Sequence, residues 1–245
     1  MSDLAPPTEQ AKIVRICDIE TSGLPEDEQH AICEMGWVDL RLDDMTFRDP
    51  TTFMVNPGHP IPPHVRAIHH ISDRDVAGAM LPDQAVALLT KGLGPEDVLC
   101  AHRADFEKAF IPRAGRWVCT LKAAYLAWPE LHSHSNQSIR YALDVDSEPD
   151  FDPTSAMPPH RALPDAVVTG FILRRLLQMR PLSRLVEIET QPGFLPRFRF
   201  GKHVGKTFKE VAASDPSYLE WICNKSDLDA DVKWTAKWHL DRRAA

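Results

Sequence analysis

Two carboxylates, Asp18 and Glu20, are separated by a single residue within the apolar, β-branched stretch IVRICDIETSGL. A short run of this kind indicates a buried strand, which here ends at Ser22 and Gly23. Side chains alternate between the two faces of a strand, so both acids point to the same side, with roughly 7 Å between them. Two like charges at that distance repel each other, and a divalent cation is the usual counter-charge. The pair is therefore a candidate metal site, with a solvated strand end as the alternative.

A second acidic element, CAHRADFEKAF from Cys100 to Phe110, follows a short predicted strand and opens a helix. Glu107 lies about 100° around that helix from Phe106, at the edge of the face predicted to be buried. Asp105 lies about 200° from Glu107, so the helix cannot direct both acids at one metal. Glu107 is the candidate ligand, and a surface ion pair with Arg103 is its alternative. The tripeptide Asp-x-Glu alone carries little information, because it begins at three positions, Asp18, Asp105 and Asp146.

A third element, PPHRALPDAVV from Pro158 to Val168, contains a histidine and an acid five residues apart. On one continuous helix, His160 and Asp165 would point about 140° apart. Pro164 suits the first turn of a helix, so we expect the histidine on an extended segment and Asp165 at the start of the helix, where the two side chains can converge. The alternatives are a structural histidine and an aspartate that interacts with the helix dipole.

The elements that must position these groups are three strands, followed by strands that alternate with helices. The first three predicted strands favour an antiparallel meander at one side of a sheet, and the alternation after them is typical of an α/β fold. Residues 144–159 are rich in Asp, Pro and Ser and are predicted to be a loop. The predicted strands are 13–24, 30–40, 46–55, 98–101 and 117–120, and the predicted helices are 84–93, 104–112, 121–126 and 165–179, with short helices after Ser72 and near Gln137.

The C-terminal part of the chain differs from the front in composition. Residues 181–196 are predicted to be a linker, because three prolines interrupt regular structure there. Residues 197–208 alternate aromatic and basic residues around Gly201 and Gly205, which predicts a β-hairpin, and two or three short helices follow. From residue 196 onward the net charge is +3, whereas the preceding residues carry −10. We expect four aromatic residues on the buried faces of the terminal helices, namely Tyr218, Trp221, Trp234 and Trp238.

Overall composition is that of an ordinary globular protein, with 43% hydrophobic and 26% charged residues. No stretch approaches the roughly 20 unbroken apolar residues that span a bilayer, and the N-terminal segment has no signal-sequence core, so we expect a cytoplasmic protein. The five cysteines are odd in number and form no C-x-x-C pair, which indicates thiols in a reducing compartment. A net charge of −7 argues against a protein that coats nucleic acid by bulk electrostatics.

Considered together and in order, the three acidic elements resemble a known enzyme family. DIETSGL at Asp18, AHRADFE at His102 and HRALPD at His160 are similar to the motifs of the DnaQ-like (DEDDh) 3′–5′ exonucleases, the subclass with four acids and a histidine. AIHHIS, residues 67–72, is similar to a nucleotide-facing loop of that family. The resemblance covers roughly residues 12–240, because FGKHVGKTFKEVAASDPSYLEW, residues 200–221, is similar to the C-terminal module of one bacterial branch.

This resemblance implies an α/β fold, with a ribonuclease H-like mixed sheet flanked by helices and a small C-terminal α+β module. The implied division of the chain is an exonuclease domain at 10–180, a linker at 181–196 and the module at 197–245. A module of about 50 residues is small for an independent domain, so it is expected to pack against the front.

The implied reaction is hydrolysis of phosphodiester bonds from DNA 3′ ends, releasing nucleoside 5′-monophosphates, with two Mg²⁺ or Mn²⁺ ions about 4 Å apart. By the resemblance, Asp18 would bridge both ions, Glu20 and Asp165 would hold the ion that activates water, and Glu107 would help to hold the second. His160 would accept the proton from the attacking water, a task suited by an unperturbed histidine pKa of about 6.5.

The implied partner is a DNA 3′ end, single-stranded or frayed, in repair or end trimming, with RNA or short oligonucleotides as the alternative substrate. A rival of another class is a non-catalytic nucleic-acid-binding module that kept the fold. The basic tail is expected to contact phosphates of the nucleic acid through Lys202 and Lys206. The alternative is that the tail is a small packing module with a solvated basic rim. The residues expected to contact nucleic acid are Thr21, Gly23, Leu24, Ile68, His69, His102, Lys202 and Lys206.

The chain departs from the family pattern at three positions. Arg103 and Glu107 replace the Asn and Asp that usually stand in the second motif, and His70 replaces a Gly. Glu keeps the carboxylate and adds one methylene, so Glu107 can reach a metal after adjustment of its rotamer. These changes bear on rate and metal preference.

Overall fold

A computed structural model of the chain describes residues 11–112 and 115–242. Three expectations extend beyond these ranges. Most of the N-terminal segment without a signal-sequence core, the first residue of the predicted exonuclease domain and the last three residues of the predicted module lie outside the described residues. Within the described ranges, no helix is long and apolar enough to cross a membrane.

A five-stranded sheet forms the centre of the molecule, in the order β3-β2-β1-β4-β5. The first three strands pair antiparallel, and β4 and β5 continue the sheet parallel to β1. The predicted meander and mixed sheet are therefore confirmed. The strands are β1 (Ile13–Thr21), β2 (Ile32–Arg41), β3 (Phe47–Met54), β4 (Val98–Ala101) and β5 (Arg116–Cys119).

Helices cover both faces of the sheet and continue into the tail. Most of the predicted helices are present with bounds within a few residues, and the predicted loop at 144–159 contains only two short 3₁₀ turns. The helices are α1 (Pro63–His69), α2 (Asp73–Val76), α3 (Pro82–Thr90), α4 (Ala104–Phe110), α5 (Thr120–Ala127), α6 (Asn136–Ala142), α7 (Ala162–Met179), α8 (Leu182–Glu189), α9 (Phe208–Ser214), α10 (Pro216–Lys225) and α11 (Ala230–Asp241).

The alternation of side chains along β1 assigns its residues to two cores. Val14 and Ile16 belong to the core shared with α5, α6, α7 and α8, whereas Cys17 and Ile19 belong to the core shared with α3 and α4. Asp18 and Glu20 have the same parity as Val14 and Ile16. Both acids therefore face the layer that contains α7.

Gly36 of β2 allows α7 to approach the sheet closely. It pairs with Asp18 of β1, and a Cβ added there would lie 2.4 Å from the backbone nitrogen of Leu163. No larger side chain fits between the strand and the first turn of α7. The start of α7 is consequently held beside Asp18.

Helix α7 begins at Ala162, three residues before the predicted start at Asp165. The carboxylate of Glu34 on β2 accepts the backbone N–H of Ala162 at 3.0 Å and so satisfies an N–H of the first turn. This contact comes from a distant strand, which explains why local sequence did not predict the earlier start.

The predicted linker was wrong in its structure, because residues 182–189 form helix α8. Pro181 occupies the N-cap position, where proline does not interrupt a helix, so it is a start signal and not a breaker. Leu182, Leu185 and Ile188 are buried in the main core, with α8 against β5 and α5. The division of the chain into two domains stays a prediction.

The C-terminal segment from residue 197 to residue 242, which we call the tail, contains helices and almost no strand. In place of the predicted hairpin, one antiparallel bridge joins Arg197 to Thr207 around a 3₁₀ turn at Gly201–His203. Trp221 was wrongly predicted to be buried: it is 45% exposed, although its ring stacks on Tyr218 at 5.7 Å. Aliphatic residues and phenylalanines fill this core instead, namely Phe198, Phe208, Val211, Ala212, Leu219, Ile222, Val232 and Ala236.

Candidate active site

Three carboxylates from β1 and α7 meet at one point. One oxygen each of Asp18, Glu20 and Asp165 can be chosen so that all three lie within 4.8 Å of one another. The period of two along β1 and the close approach at Gly36 together produce this convergence. The structure thus brings together acids that the sequence separates by about 145 residues. An all-oxygen donor set of this kind suits hard divalent cations.

Glu107 of α4 is buried beside this group. It is 4% exposed, and its Oε2 has no hydrogen-bond partner among the described residues. Burial raises the pKa of Glu107 to about 8, and the charge of Glu107 in turn contributes to raising the pKa of Asp18. The alternative of a surface pair with Arg103 does not hold, because Glu107 forms no ion pair within the described ranges. An unpartnered, buried carboxylate oxygen is what a cation site requires.

The cluster carries more negative charge than its surroundings offset. Burial raises the pKa of Asp18 well above its usual range, and the neighbouring Glu20 and Glu107 raise it further. Burial, together with Asp165 and Glu34, also raises the pKa of Glu20 to about 8. No side-chain nitrogen of Lys, Arg or His lies within 4 Å of the carboxylates of Asp18, Glu20, Glu107 or Asp165 in the part of the chain that the structure describes. The residues present therefore fit a site that holds cations.

The aspartates of the other two Asp-x-Glu sequences are paired with basic side chains. Asp105 contacts Lys122 at 2.8 Å, which agrees with its exclusion as a metal ligand. Asp146 contacts Arg140 at 2.5 Å, and Glu148 contacts Arg174 and Arg175. Of the three aspartates, only Asp18 lacks such a partner among the described residues.

His160 and Asp165 are linked through the backbone, and this linkage allows them to converge. The N–H of His160 donates to Oδ2 of Asp165 at 2.9 Å, and Gln137 of α6 donates to Oδ1 at 3.1 Å. His160 has a φ of 60°, an uncommon conformation for a residue other than glycine, and its imidazole is exposed. Asp165 is thereby fixed in orientation, and the imidazole beside it is open to solvent. Gln137 gave no sequence signal, because its role depends on packing of α6 against α7.

Glu34 and Arg161 form an ion pair next to the cluster that sequence reasoning missed. Arg161 donates to both carboxylate oxygens of Glu34, at 2.7 and 2.9 Å. Glu34 is opposite Glu20 across the β1–β2 pair, and Arg161 precedes α7. The pair fastens the start of α7 to the strand beside the acid cluster. The acid within the strand run CEMG was a possible signal, but its partner is 127 residues away.

Four expected nucleic-acid contacts lie around the turn after β1 and on α1. Leu24 and Ile68 are each 52% exposed, as an apolar contact to a base requires. Thr21 and Gly23 are buried and shape the turn, with the Thr21 hydroxyl donating to the Gly23 carbonyl at 2.7 Å. His70 caps α1 in the left-handed conformation at φ 60°, which explains why a glycine suits that position.

His69 and His102 form hydrogen bonds within the protein, and their expected contacts with nucleic acid stay a prediction. His69 is 2% exposed, and its Nδ1 accepts the backbone N–H of Ile71. His102 uses Nε2 to donate to the carbonyl of His134 and Nδ1 to accept from the hydroxyl of Thr120. Burial lowers the pKa of His102 to about 4, so its ring is neutral at pH 7. A half-buried, neutral ring with both nitrogens bonded holds together β4, α5 and the segment before α6.

The two tail lysines differ in their surroundings. Lys202 contacts Asp215 at 2.7 Å and lies over the ring of Tyr218. Lys206 is exposed and forms no ion pair among the described residues. Lys206 is therefore the better placed of the two to contact a phosphate.

Two family models match the chain. A model described as Exonuclease matches residues 16–173, and a model described as Exodeoxyribonuclease X-like C-terminal matches residues 198–227. The first of these covers more than half of the chain and includes all the acidic elements.

Individual relatives agree with both matches. Exodeoxyribonuclease 10 of Escherichia coli (strain K12) is 31% identical over 235 residues, which cover 94% of this chain and 99% of that protein. The structure described as Exonuclease X in complex with 5′ overhanging duplex DNA has a TM-score of 0.60 and 26% identity, covering 71% of this chain and 98% of that one. The nuclease domain of 3′hExo, a DEDDh family member bound to rAMP, has a TM-score of 0.53 at 18% identity, covers 69% of this chain and 94% of that one, and shows the shared fold. The predicted ribonuclease H-like sheet and the family resemblance are confirmed.

Proposed function

The chain belongs to the exonuclease family, and on that premise we propose that it hydrolyses phosphodiester bonds at the 3′ ends of DNA, one nucleotide at a time. The observation that carries this proposal is the meeting of Asp18, Glu20 and Asp165 beside the unpartnered carboxylate oxygen of Glu107. The products are nucleoside 5′-monophosphates, and the biological role is end trimming or repair.

The four carboxylates would hold two divalent cations, Mg²⁺ or Mn²⁺. When bound, such ions lower the pKa of a water molecule and stabilise negative charge on the attacking and leaving oxygens. The protein contributes the fixed positions of the ligands. Asp18 and Glu20 are set by the strand, and Asp165 is oriented by the His160 N–H and by Gln137.

His160 accepts the proton from the attacking water. Its imidazole is exposed beside Asp165, where a substrate and a water can reach it. The backbone of His160 is tied to Asp165, so the ring is attached to the same rigid point as the acid cluster. Leu24 and Ile68 supply exposed apolar surface for the terminal bases, which favours single-stranded or frayed ends.

DNA is the favoured substrate because of the relatives. The name exodeoxyribonuclease 10 denotes an enzyme that hydrolyses DNA, and the structure of Exonuclease X is a complex with duplex DNA. We place the protein in the cytoplasm, because all five cysteines are free thiols, as in reducing compartments.

Parallel digestion of three labelled substrates tests this function. Single-stranded DNA, blunt duplex DNA and RNA of one sequence carry a 5′ label and are incubated with Mg²⁺, with EDTA, and with Mg²⁺ added back after EDTA. We expect a ladder that shortens from the 3′ end of single-stranded DNA, release of 5′-monophosphates, and full dependence on the metal. If only RNA is digested, the protein is an exoribonuclease and the proposal of a DNA substrate is wrong. Metal-independent binding of DNA without mononucleotide release would support the non-catalytic module.

A further inference from the structure

A groove lies between the catalytic part of the chain and the tail. We call it the tail groove. It has a volume of about 520 Å³ and is lined on the catalytic side by the loop between α5 and α6. The other wall belongs to the segment from Arg197 to Gly205, with Val204 strongly exposed at its edge. Its lining residues are Glu130, Leu131, His132, Ser133, Arg197, Phe198, Arg199, Val204 and Gly205.

Positive charge predominates at this groove. Arg197 and Arg199 line it and are exposed, and Lys206 follows directly after its last lining residue. None of the three forms an ion pair within 4 Å in the described part of the chain, whereas neighbouring Lys202 is paired with Asp215. Glu130 is the one acid among the lining residues. A groove with unpaired guanidinium and ammonium groups in an otherwise acidic protein complements a phosphate backbone.

The groove is connected to the acid cluster by one short segment. Gln137 donates to Asp165, and the carbonyl of His134 accepts from His102, which places residues 134–137 along the active site. Ser133, the next residue back, already lines the groove. Five residues span at most about 18 Å, a distance that a few nucleotides of a DNA strand cover. A strand that leaves the active site therefore reaches the groove within a few nucleotides.

Arg199 fixes the tail wall of the groove to the catalytic part. It donates to Nδ1 of His134 at 2.6 Å, and its guanidinium lies over the ring of Tyr125 at 5.5 Å. A guanidinium has five N–H donors, so this contact leaves others for a phosphate. The wall is preorganised, and little ordering is needed when a strand binds.

We propose that the tail groove binds the sugar–phosphate backbone of the substrate DNA a few nucleotides away from the bond that is cleaved. This assignment rests on the proposed function. It gives the tail a defined task, which is to increase affinity for strands long enough to reach it. Each phosphate contact on single-stranded DNA contributes about 0.7 to the slope of log affinity against log salt concentration.

The test measures DNA binding and strand-length preference in the full chain. Fluorescence anisotropy in EDTA gives the affinity for 5′-labelled single strands of about 4 and about 20 nucleotides, at several salt concentrations. We expect the double variant Arg197→Ala/Lys206→Ala to bind the long strand about 10-fold more weakly and to lose about 1.4 from its salt slope. In Mg²⁺, the wild type should have a higher kcat/KM for the long strand than for the short strand. The ratio of these two values should be about 10-fold lower in the variant.

The control variant Lys209→Ala/Lys225→Ala removes the same net charge from exposed positions outside the groove. Its affinity for the long strand should change less than twofold. Equal losses in both double variants would show a bulk charge effect and overturn the proposal, as would unaltered binding in the groove variant. If the groove variant binds the long strand more weakly than the wild type but the wild type digests no DNA in Mg²⁺, the proposed function is wrong. The assignment of the groove as a DNA-binding surface is then still supported. If digestion proceeds without any length preference, the groove assignment fails alone.

Discussion

At the residue scale, charge pairing separates the active-site acids from other carboxylates of the same spacing. Asp105 and Asp146 have Lys122 and Arg140 as partners, but Asp18 faces other acids. Buried acids close to one another destabilise a protein unless a cation neutralises them. Repulsion between the clustered acids therefore lowers the stability of the metal-free protein.

Neutralising one acid should therefore stabilise the metal-free protein. We expect Asp18→Asn to raise the free energy of unfolding in EDTA by about 1 kcal/mol, because its amide can donate to the neighbouring carboxylates. Urea denaturation monitored by circular dichroism measures this. Asp83→Asn, the same change at an exposed position on α3, should be neutral. A destabilised Asp18→Asn protein would show that the cluster is not under charge repulsion.

The Glu34–Arg161 pair should position the start of α7. Lysine cannot make the two parallel hydrogen bonds that Arg161 makes, so we expect Arg161→Lys to lower kcat about 10-fold or more, with a lower Tm. Arg41 forms a comparable pair with Asp43 at the surface, and Arg41→Lys should leave both quantities unaltered. Equal rates for the two variants would remove the positioning role.

The acids and the histidine were predictable from spacing, residue type and family resemblance, whereas the residues that orient them were not. Asp18, Glu20, Glu107, His160 and Asp165 all lie at or beside the cluster. Glu34 and Gln137 gave no usable signal, because each acts through a partner on α7 that is far away in the sequence. The burial of His69 gave no local signal either, because burial depends on packing.

At the element scale, the fit of α7 against β2 depends on Gly36. We expect Gly36→Ala to destabilise the protein by about 2 kcal/mol, because its Cβ would meet the backbone of Leu163 and move the start of α7. Activity should fall together with stability, since Asp165 moves with the helix. In Gly94→Ala the new Cβ makes only an ordinary contact, and stability should change by less than about 0.5 kcal/mol. Wild-type stability in Gly36→Ala would contradict the close approach.

The hydrogen bonds of His102 should make stability depend on pH. Burial lowers its folded-state pKa to about 4, so the unfolded chain takes up the proton first as the pH falls below about 6.5. Stability is then lost as the pH falls, by about 2 kcal/mol from pH 6.5 to pH 5 for this group. We expect His102→Gln to be less stable at pH 7 but to lose less stability over that range, measured by urea unfolding. His64→Gln, at an exposed position, should retain the wild-type slope. An unaltered slope in His102→Gln would contradict a ring that is neutral at pH 7.

Element positions were predictable where the signal is local. The predicted strand at 98–101 matches β4, because a short apolar run bounded by polar residues has one plausible structure. Helix α8 was missed because prolines on either side were interpreted as breakers. The hairpin around Gly201 was wrong because alternation of aromatic and basic residues also fits a turn whose phenylalanines pack inward, as Phe198 and Phe208 do at 4.0 Å.

At the scale of the whole molecule, the tail contacts the catalytic part through Arg199, which donates to His134. Helix α8, which precedes the tail, ends at Glu189, and Glu189 contacts Lys108 of α4 at 2.6 Å. Helix α4 also carries Glu107, so α8 and the acid cluster share a support. The uneven charge of the sequence anticipated a basic tail, but only the structure shows that Arg197, Arg199 and Lys206 lie at one groove.

The central claim is that the clustered carboxylates bind the cations used to cleave DNA from its 3′ end. Digestion of 5′-labelled single-stranded DNA in Mg²⁺ by wild type, Asp18→Asn and Asp83→Asn tests it most directly. We expect wild type and Asp83→Asn to release nucleoside 5′-monophosphates at equal rates, and Asp18→Asn to lose activity by at least about 1,000-fold while remaining folded. Activity that survives in Asp18→Asn at the wild-type rate would contradict the claim.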